Sequence, residues 1–281
     1  SDNKSFVVSK LSSGNILIAS TAGIYEVEPK SKRIIRKNLF ANPLHYLESI
    51  FITSHNQIFL LSGLSGIIYY LKDFNSVPLT LSNLSTSMVQ QLVEFEDIII
   101  GGNNTGLVYF NGNDFDPLLN LGEEVWSLCS DKGRLWVGTE KGLGYYQDDK
   151  FFKLKTELPN SVVKAITPDI DQEYLWLGTN GGFVYYNKKT NKVELSINSK
   201  DGLQGNEIAI NGLYNDERGL LWVSTYHGIS TFDIKKNKQV KYTPEGKIER
   251  IWLNGEEIIL DKLVKGLKYF ENNIIFEITG L

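Results

Sequence analysis

Apolar residues run through this chain in short lengths, each cut off by Gly, Asn or Asp, and no long stretch repeats them at the 3.6-residue period of an amphipathic helix. Leu135-Trp136-Val137-Gly138-Thr139 is one such run. Its apolar residues are consecutive rather than alternating, which predicts a strand buried on both faces. Short runs rich in β-branched and aromatic residues, bounded throughout by turn formers, predict an all-β fold.

The runs are copies of one another. Leu135 to Tyr146 aligns without gaps on Leu175 to Tyr186 and on Leu221 to Phe232. Ile16 to Val27 is a weaker copy, and Ile58 to Tyr70 and Ile98 to Phe110 fit with one extra residue in the turn. The turn glycines Gly23, Gly66, Gly106, Gly142, Gly182 and Gly228 stand 36 to 46 residues apart. In the fourth copy Val125 to Cys129 reads as strand a, Leu135 to Thr139 as b, Leu143 to Tyr146 as c and Phe151 to Leu154 as d. Asp131-Lys132-Gly133 and Glu140-Lys141-Gly142 are the turns between them.

Four antiparallel strands repeated about every 40 residues predict a β-propeller. WD40 and kelch blades share this period, but the chain has neither the Gly-His and Trp-Asp pairs of the first nor the double glycine and downstream Trp of the second. Blades are expected near 5–40, 44–82, 88–120, 124–156, 161–198 and 206–243, within a propeller over 1–244. Six blades close a ring. Seven do so if another comes from sequence outside this piece, and both counts stay open.

Residues 245–281 break the pattern. Ile248 to Leu253, Asn254-Gly255 and Glu256 to Leu260 read as a hairpin, and Leu267 to Ile278 continues as β without the blade signature. This segment is expected to be the N-terminal part of a β-sandwich, cut short at Leu281.

Charge and composition narrow the function. Lys+Arg 29 against Asp+Glu 33 gives a net charge of −4, which argues against a nucleic-acid partner. Hydrophobic residues at 42% and charged residues at 22% fit a packed protein rather than a disordered one. No run approaches the roughly 20 apolar residues of a membrane helix. The chain starts at Ser1, not Met, and reads as a mature or excised piece of something longer. A single cysteine, Cys129, excludes an internal disulfide and a CxxC zinc site.

The candidate chemistry is that of binding. Trp136, Trp176 and Trp222 share one repeat position and are expected to pack between blades, with Trp252 in the core of the tail. Trp126 lies on an inner strand, where a ligand is within reach. His45, His55 and His227 show no zinc spacing, and no metal or cofactor is expected. Asp169-Ile170-Asp171-Gln172-Glu173 resembles the opening of a calcium loop, but Tyr174 stands where such a loop needs Gly. It aligns with the a–b turns Asp131-Lys132-Gly133 and Asp216-Glu217-Arg218-Gly219, so a solvated hairpin is expected instead. Cys129 reads as a small buried residue, and no catalytic residue is assigned.

In a propeller the b–c turns and d–a connections emerge together around the central channel. Residues expected on that face are Trp126, Glu140, Lys141, Asn180, Gln204, Asn206, Glu207, Tyr226 and His227, with Asn104, Glu124 and Asn160 beside them. Amides, carboxylates and aromatic rings around a concavity suit sugar hydroxyls and the apolar faces of sugar rings. The plainer reading is that Asn and Gly are simply good turn residues.

The core Leu-Trp-Val-Gly-Thr-x-x-Gly-Leu, with Asp201-Gly202-Leu203-Gln204-Gly205-Asn206-Glu207 before its last copy, resembles two-component regulator propeller repeats. Gln204 departs from the Pro usual there. Trp252-Leu253-Asn254-Gly255 and Glu271-Asn272-Asn273-Ile274-Ile275-Phe276 resemble the start of the triple-tyrosine β-sandwich that follows such propellers. The resemblance spans essentially the whole chain and is specific in blades four to six and the tail. It implies the periplasmic sensor region of a Bacteroidetes hybrid two-component histidine kinase, an inner-membrane protein with two propellers, the sandwich, one membrane helix and a cytoplasmic kinase. This chain would be the second propeller with a truncated sandwich, lacking any kinase domain and meeting the membrane only through the missing downstream helix. The implied role is sensing an oligosaccharide or other small ligand, switching on polysaccharide-utilisation genes, with self-association as a homodimer. A protein-interaction or dimerisation propeller without its own small-molecule site is the alternative. An enzyme, such as a propeller lyase, would need a cluster of carboxylate, His or Tyr with perturbed pKa values in the channel.

Overall fold

The computed structural model describes residues 6–42, 44, 47–62, 66–81, 89–170, 172–216, 218–233, 247–258 and 273–279. His45, Asp171, Glu217, the fourth strand of the sixth expected blade and the segment 259–272 lie outside them. The chain forms two compact units, Ser1–Phe232 and Asp233–Leu281.

The first unit is built from sheets that run in sequence order. Blade 1 holds β1 (Phe6–Lys10), β2 (Ile16–Ser20), β3 (Gly23–Glu28) and β4 (Arg33–Leu39). Blade 2 holds β5 (Ser49–Ile52), β6 (Ile58–Ser62), β7 (Ile67–Leu71) and β8 (Leu79–Leu81). Blade 3 holds β9 (Gln91–Phe95), β10 (Ile98–Gly102), β11 (Gly106–Phe110) and β12 (Phe115–Asn120). Blade 4 holds β13 (Val125–Asp131), β14 (Arg134–Thr139), β15 (Gly142–Gln147) and β16 (Lys150–Lys153). Blade 5 holds β17 (Val163–Pro168), β18 (Tyr174–Thr179), β19 (Gly182–Asn187) and β20 (Lys192–Ile197). In blade 6 the described strands are β21 (Ile208–Asn215), β22 (Leu220–Thr225) and β23 (Gly228–Asp233).

First strands of successive blades lie beside one another, and β13 also approaches β21, two blades on. The sheets therefore fan around a common axis as propeller blades, with the first strands innermost. Their apolar faces meet in pairs. Cys129, Trp136 and Leu143 of blade 4 pack on Leu175, Leu177, Val184 and Tyr186 of blade 5. Glycine in the second strand lets the next inner strand come close: a Cβ on Gly138 would sit 2.6 Å from the Val163 carbonyl oxygen, and one on Gly178 would sit 2.6 Å from Ile208 Cγ2. Val163 and Ile208 are themselves 0% exposed.

Blade 6 departs from the pattern. Leu135 to Thr139 and Leu175 to Thr179 are buried at every position, as their consecutive apolar residues predict. In β22 buried and exposed residues alternate, and Trp222 is 39% exposed where Trp136 and Trp176 are 1%. The sequence-based expectation that Trp222 packs between blades is corrected here, because burial at that position is provided by a following blade.

The second unit contains a three-stranded antiparallel sheet in the order β25 (Glu256–Ile258), β24 (Lys247–Leu253), β26 (Ile274–Thr279). Asn254 and Gly255 take positive φ of 50° and 90°, the conformation a tight two-residue hairpin requires. Ile251 and Leu253 are buried and Trp252 is half-buried.

Candidate functional site

The inner strands of blades 4 and 5 carry the same irregularity. β13 pairs Val125 with Thr139 and Ser127 with Gly138, skipping Trp126, and β17 pairs Val163 with Thr179 and Ala165 with Gly178, skipping Lys164. A bulge of this kind takes the extra residue out of the ladder and re-aims its side chain. Trp126 and Lys164 thus occupy equivalent places on neighbouring inner strands.

Lys164 is the centre of the resulting cluster. Its ammonium lies 2.5 Å from Glu207 Oε1, 5.6 Å from the centre of the Trp126 ring and 5.3 Å from that of Tyr226. Only 6% of Lys164 is exposed, so a counter-charge and two π faces replace the water it has lost. The rings come from blades 4 and 6, the amine from blade 5 and the carboxylate from the connection into blade 6. Among the described residues Trp126 Nε1 is buried without an acceptor and Asn180 Oδ1 is buried without a donor. Trp136 Nε1, Trp176 Nε1 and Asn215 Oδ1 are likewise buried and unpaired among the described residues, so the lack of a partner does not by itself mark a ligand site.

A second group lies at the start of β13. Gln90 Nε2 donates to Glu124 Oε1 at 3.4 Å, and the Glu140 backbone N–H donates to the Glu124 carbonyl at 3.0 Å. Burial, reinforced by the neighbouring Glu140 carboxylate, holds the Glu124 carboxyl above the usual range against the opposing bond from Gln90. Lys141 Nζ lies 3.4 Å from Glu140 Oε1 and also lines a cavity of about 410 Å³ with Glu157 and Ser161.

Other expected residues are taken up by turns. Asn160 Oδ1 accepts from the Val162 backbone at 2.9 Å, and Asn206 Oδ1 from Ser199 at 2.7 Å. Gln204 packs near Gly228, and the His227 ring lies so close to Gly205 that a Cβ there would stand 2.8 Å from Nδ1. Asn104, Gln204 and His227 are exposed. Sequence reasoning missed Lys164, Gln90 and the buried Glu123, which holds Lys153 Nζ at 2.7 Å. For Lys164 the signal was present: it is the charged residue within Val162-Val163-Lys164-Ala165-Ile166, at the repeat position of Trp126.

The opposite face carries a different feature, a cavity of about 510 Å³ between blades 4 and 5 lined by Asp131, Arg134, Trp136 and Lys188. Asp131 and Lys188 form a buried ion pair across that junction. Arg134 lies 4.5 Å over the Tyr145 ring and donates through Nε to Gln147. Asp131, Asp169 and Asp216 are equivalent in the repeat, yet each carboxylate has its own partner: Lys188, the Tyr185 hydroxyl at 2.5 Å and Trp222 Nε1 at 3.2 Å. The expected hairpin forms at Asp169, whose N–H donates to the Tyr174 carbonyl. Asp169 is buried at 3% exposure rather than solvated. Among the described residues no group of three or more His, Cys, Asp and Glu is placed to hold a metal ion. No described helix is long and apolar enough to cross a membrane.

No protein-family model matches the chain, and no curated protein does. Solved structures of similar shape exist at low identity. The extracellular domain of the putative one component system BT4673 from B. thetaiotaomicron superposes with a TM-score of 0.64 at 16% identity, covering 87% of this chain and 33% of that one. Virginiamycin B lyase from Staphylococcus aureus gives 0.60 at 13% identity over 86% of each chain. The β-propeller domain of Myceliophteria thermophila Cps50 (Swd1) gives 0.57 at 10% identity, over 81% and 83%. The chain thus spans a third of the first of these, and at such identities the likeness establishes the propeller fold.

Proposed function

We propose that the propeller is the ligand-reading part of a periplasmic sensor, belonging to a hybrid two-component histidine kinase that detects an oligosaccharide and regulates polysaccharide-utilisation genes. The observation that carries this reading is the Lys164–Glu207 pair set between the Trp126 and Tyr226 rings. Flat rings take the apolar face of a sugar, and an amine and a carboxylate fix its hydroxyls. The cluster draws on three blades, so a bound ligand bridges three sheets. The shape likeness to a sensor's extracellular domain supports the same reading. The triple-tyrosine sandwich, membrane helix and kinase are the parts through which such a signal would pass.

Isothermal titration calorimetry against plant, host and microbial oligosaccharides tests it. Binding of one class, weakened by roughly 1 to 3 kcal/mol in Trp126→Ala or in the Tyr226→Ala, His227→Ala double variant, supports the site. Unchanged affinity in all these variants places it elsewhere.

One observation favours a second reading, an interaction propeller. On the outer strand β4, Ile34, Ile35 and Leu39 are 59%, 50% and 58% exposed, more apolar surface than an outer edge normally shows. A homodimer buried through that edge would appear as a concentration-dependent mass lost in Ile35→Lys.

A further inference from the structure

At the end of the blades that carries the a–b and c–d turns, a cavity opens at two of the junctions. Between blades 1 and 2 it measures about 440 Å³, and between blades 4 and 5 about 510 Å³. Leu17 and Trp136, which hold the same repeat position, form part of the wall in each. The recurrence makes the cleft a property of the fold, but the charge within it differs. In the first cavity the one cation, Arg36, stands with the carboxylates Glu26 and Asp73. Arg36 pairs with Glu26 at 2.5 Å, and Asn15 donates to the same carboxylate at 2.8 Å. In the second, Lys132, Arg134, Lys188 and Lys189 outnumber Asp131 and Glu173. Among the described residues this leaves a surplus of two positive charges, in a chain whose net charge is −4.

The four cations have different tasks. Two tie the junction together: Lys188 reaches from blade 5 to Asp131 of blade 4, and Lys132 Nζ donates from blade 4 to the Gln172 carbonyl at 3.1 Å. Arg134 is held from one side, its Nε donating to Gln147 at 3.1 Å and its guanidinium carbon lying 4.5 Å from the centre of the Tyr145 ring. Among the described residues nothing accepts a hydrogen bond from its two terminal nitrogens, and Lys189 is exposed with no carboxylate partner. The surplus charge therefore resides on Arg134 and Lys189. A guanidinium fixed in this way presents a planar fork of N–H donors, the geometry that carboxylate and phosphate oxygens accept. The cavity volume is that of a small-molecule site, with the Trp136 indole as part of its wall. We propose that the cavity between blades 4 and 5 binds a small organic dianion, a compound bearing carboxylate or phosphate groups, held by Arg134 and Lys189. The site lies on the face opposite the Lys164 cluster, shares no residue with it and does not depend on the sensor reading.

Isothermal titration calorimetry of residues 1–281 at neutral pH and fixed ionic strength tests it, with succinate, glycerol phosphate and uncharged glycerol as probes. Succinate, glycerol phosphate or both are expected to bind and glycerol is not, and the two anions separate carboxylate from phosphate chemistry. Arg134→Gln and Lys189→Glu should each weaken that binding by about tenfold or more. Lys37→Glu makes the same charge change on exposed β4 of blade 1 and should alter it by less than about twofold, since salt screens distant charges. Lys189 is exposed, so its variant decides the matter even if Arg134→Gln disturbs the packing on Tyr145. Three results overturn the proposal. Heat from neither anion means that the cavity takes no dianion. Equal weakening by Lys37→Glu means diffuse attraction rather than a site. Affinity unchanged in Lys189→Glu and in a folded Arg134→Gln means that the anion binds elsewhere.

Discussion

The two partners of the Lys164–Glu207 ion pair, 2.5 Å apart, stand on opposite sides of the solvent boundary: the lysine side chain is 8% exposed and the glutamate side chain 48%. The asymmetry predicts unequal costs of removal. Glu207→Gln leaves a buried ammonium without its counter-charge, the change that costs most in a buried pair. Half-exposure of Glu207 and the two flanking rings reduce that cost, and a loss of about 2 kcal/mol is expected. Lys164→Met frees a carboxylate that water already reaches, and stability should change by less than about 1 kcal/mol. Urea unfolding of both variants checks the order. Equal losses would show that the lysine is solvated and the pair superficial.

Trp136 and Trp222 are the same residue of the same motif in different surroundings. Trp136→Ala removes a 1% exposed indole from the junction of blades 4 and 5 and should cost about 3 to 5 kcal/mol. Trp222→Ala, at 39% exposure, gives up its bond to Asp216 and partial packing, and about 1 kcal/mol is expected. Denaturant midpoints of the two variants in residues 1–281 decide.

Gly138 and Gly142 frame one turn and are required for different reasons. Gly142 has φ of +125° with open space around it, so Gly142→Ala meets only backbone strain, about 1 to 2 kcal/mol. A Cβ on Gly138 would lie 2.2 Å from Ser127 Oγ and 2.6 Å from the Val163 carbonyl oxygen, wedging blade 4 from blade 5. It would also break the 2.9 Å bond from Ser127 Oγ to that carbonyl. Gly138→Ala should therefore cost about 3 kcal/mol or more. A thermal melt in which Gly142→Ala is the less stable variant would contradict this account.

What the sequence disclosed follows from the range of each cause. Strands such as Leu135 to Thr139 were legible because burial on both faces leaves consecutive apolar residues, and the turn glycines because positive φ excludes most side chains. Trp222 was misjudged because its motif shares Leu-Trp-Val-x-Thr with that of Trp136, while its burial is set by whatever sheet follows. Lys164 was missed although it stands as a lone charge in Val162 to Ile166, because that position reads as the inner face of a strand until the one-residue bulge takes it out of the ladder. Glu207 and Tyr226 were legible only as turn residues on one face. That they close on a lysine from a third blade depends on the angle between sheets.

The fold should weaken in alkali. Burial, with the Asp131 carboxylate adding to it and Lys188 opposing, pushes the Cys129 thiol up to about 12 from an ordinary 9.0. Burial likewise pushes the Tyr186 hydroxyl up to about 12 from 10.0. Below about pH 9 both groups are protonated in the folded and unfolded chain alike and contribute no pH dependence. Above that the unfolded chain releases its protons first, so it binds fewer than the folded one and stability falls as pH rises towards 12. Melting temperature is expected to decline through this window, and Cys129→Ser should flatten the first part of the decline, from about pH 9. In the folded protein at pH 8 the Cys129 thiol should resist a disulfide reagent and react fully once urea unfolds the chain. A melting temperature unchanged between pH 8 and 11, or rapid labelling of the native chain, would mean that the junction between blades 4 and 5 admits water.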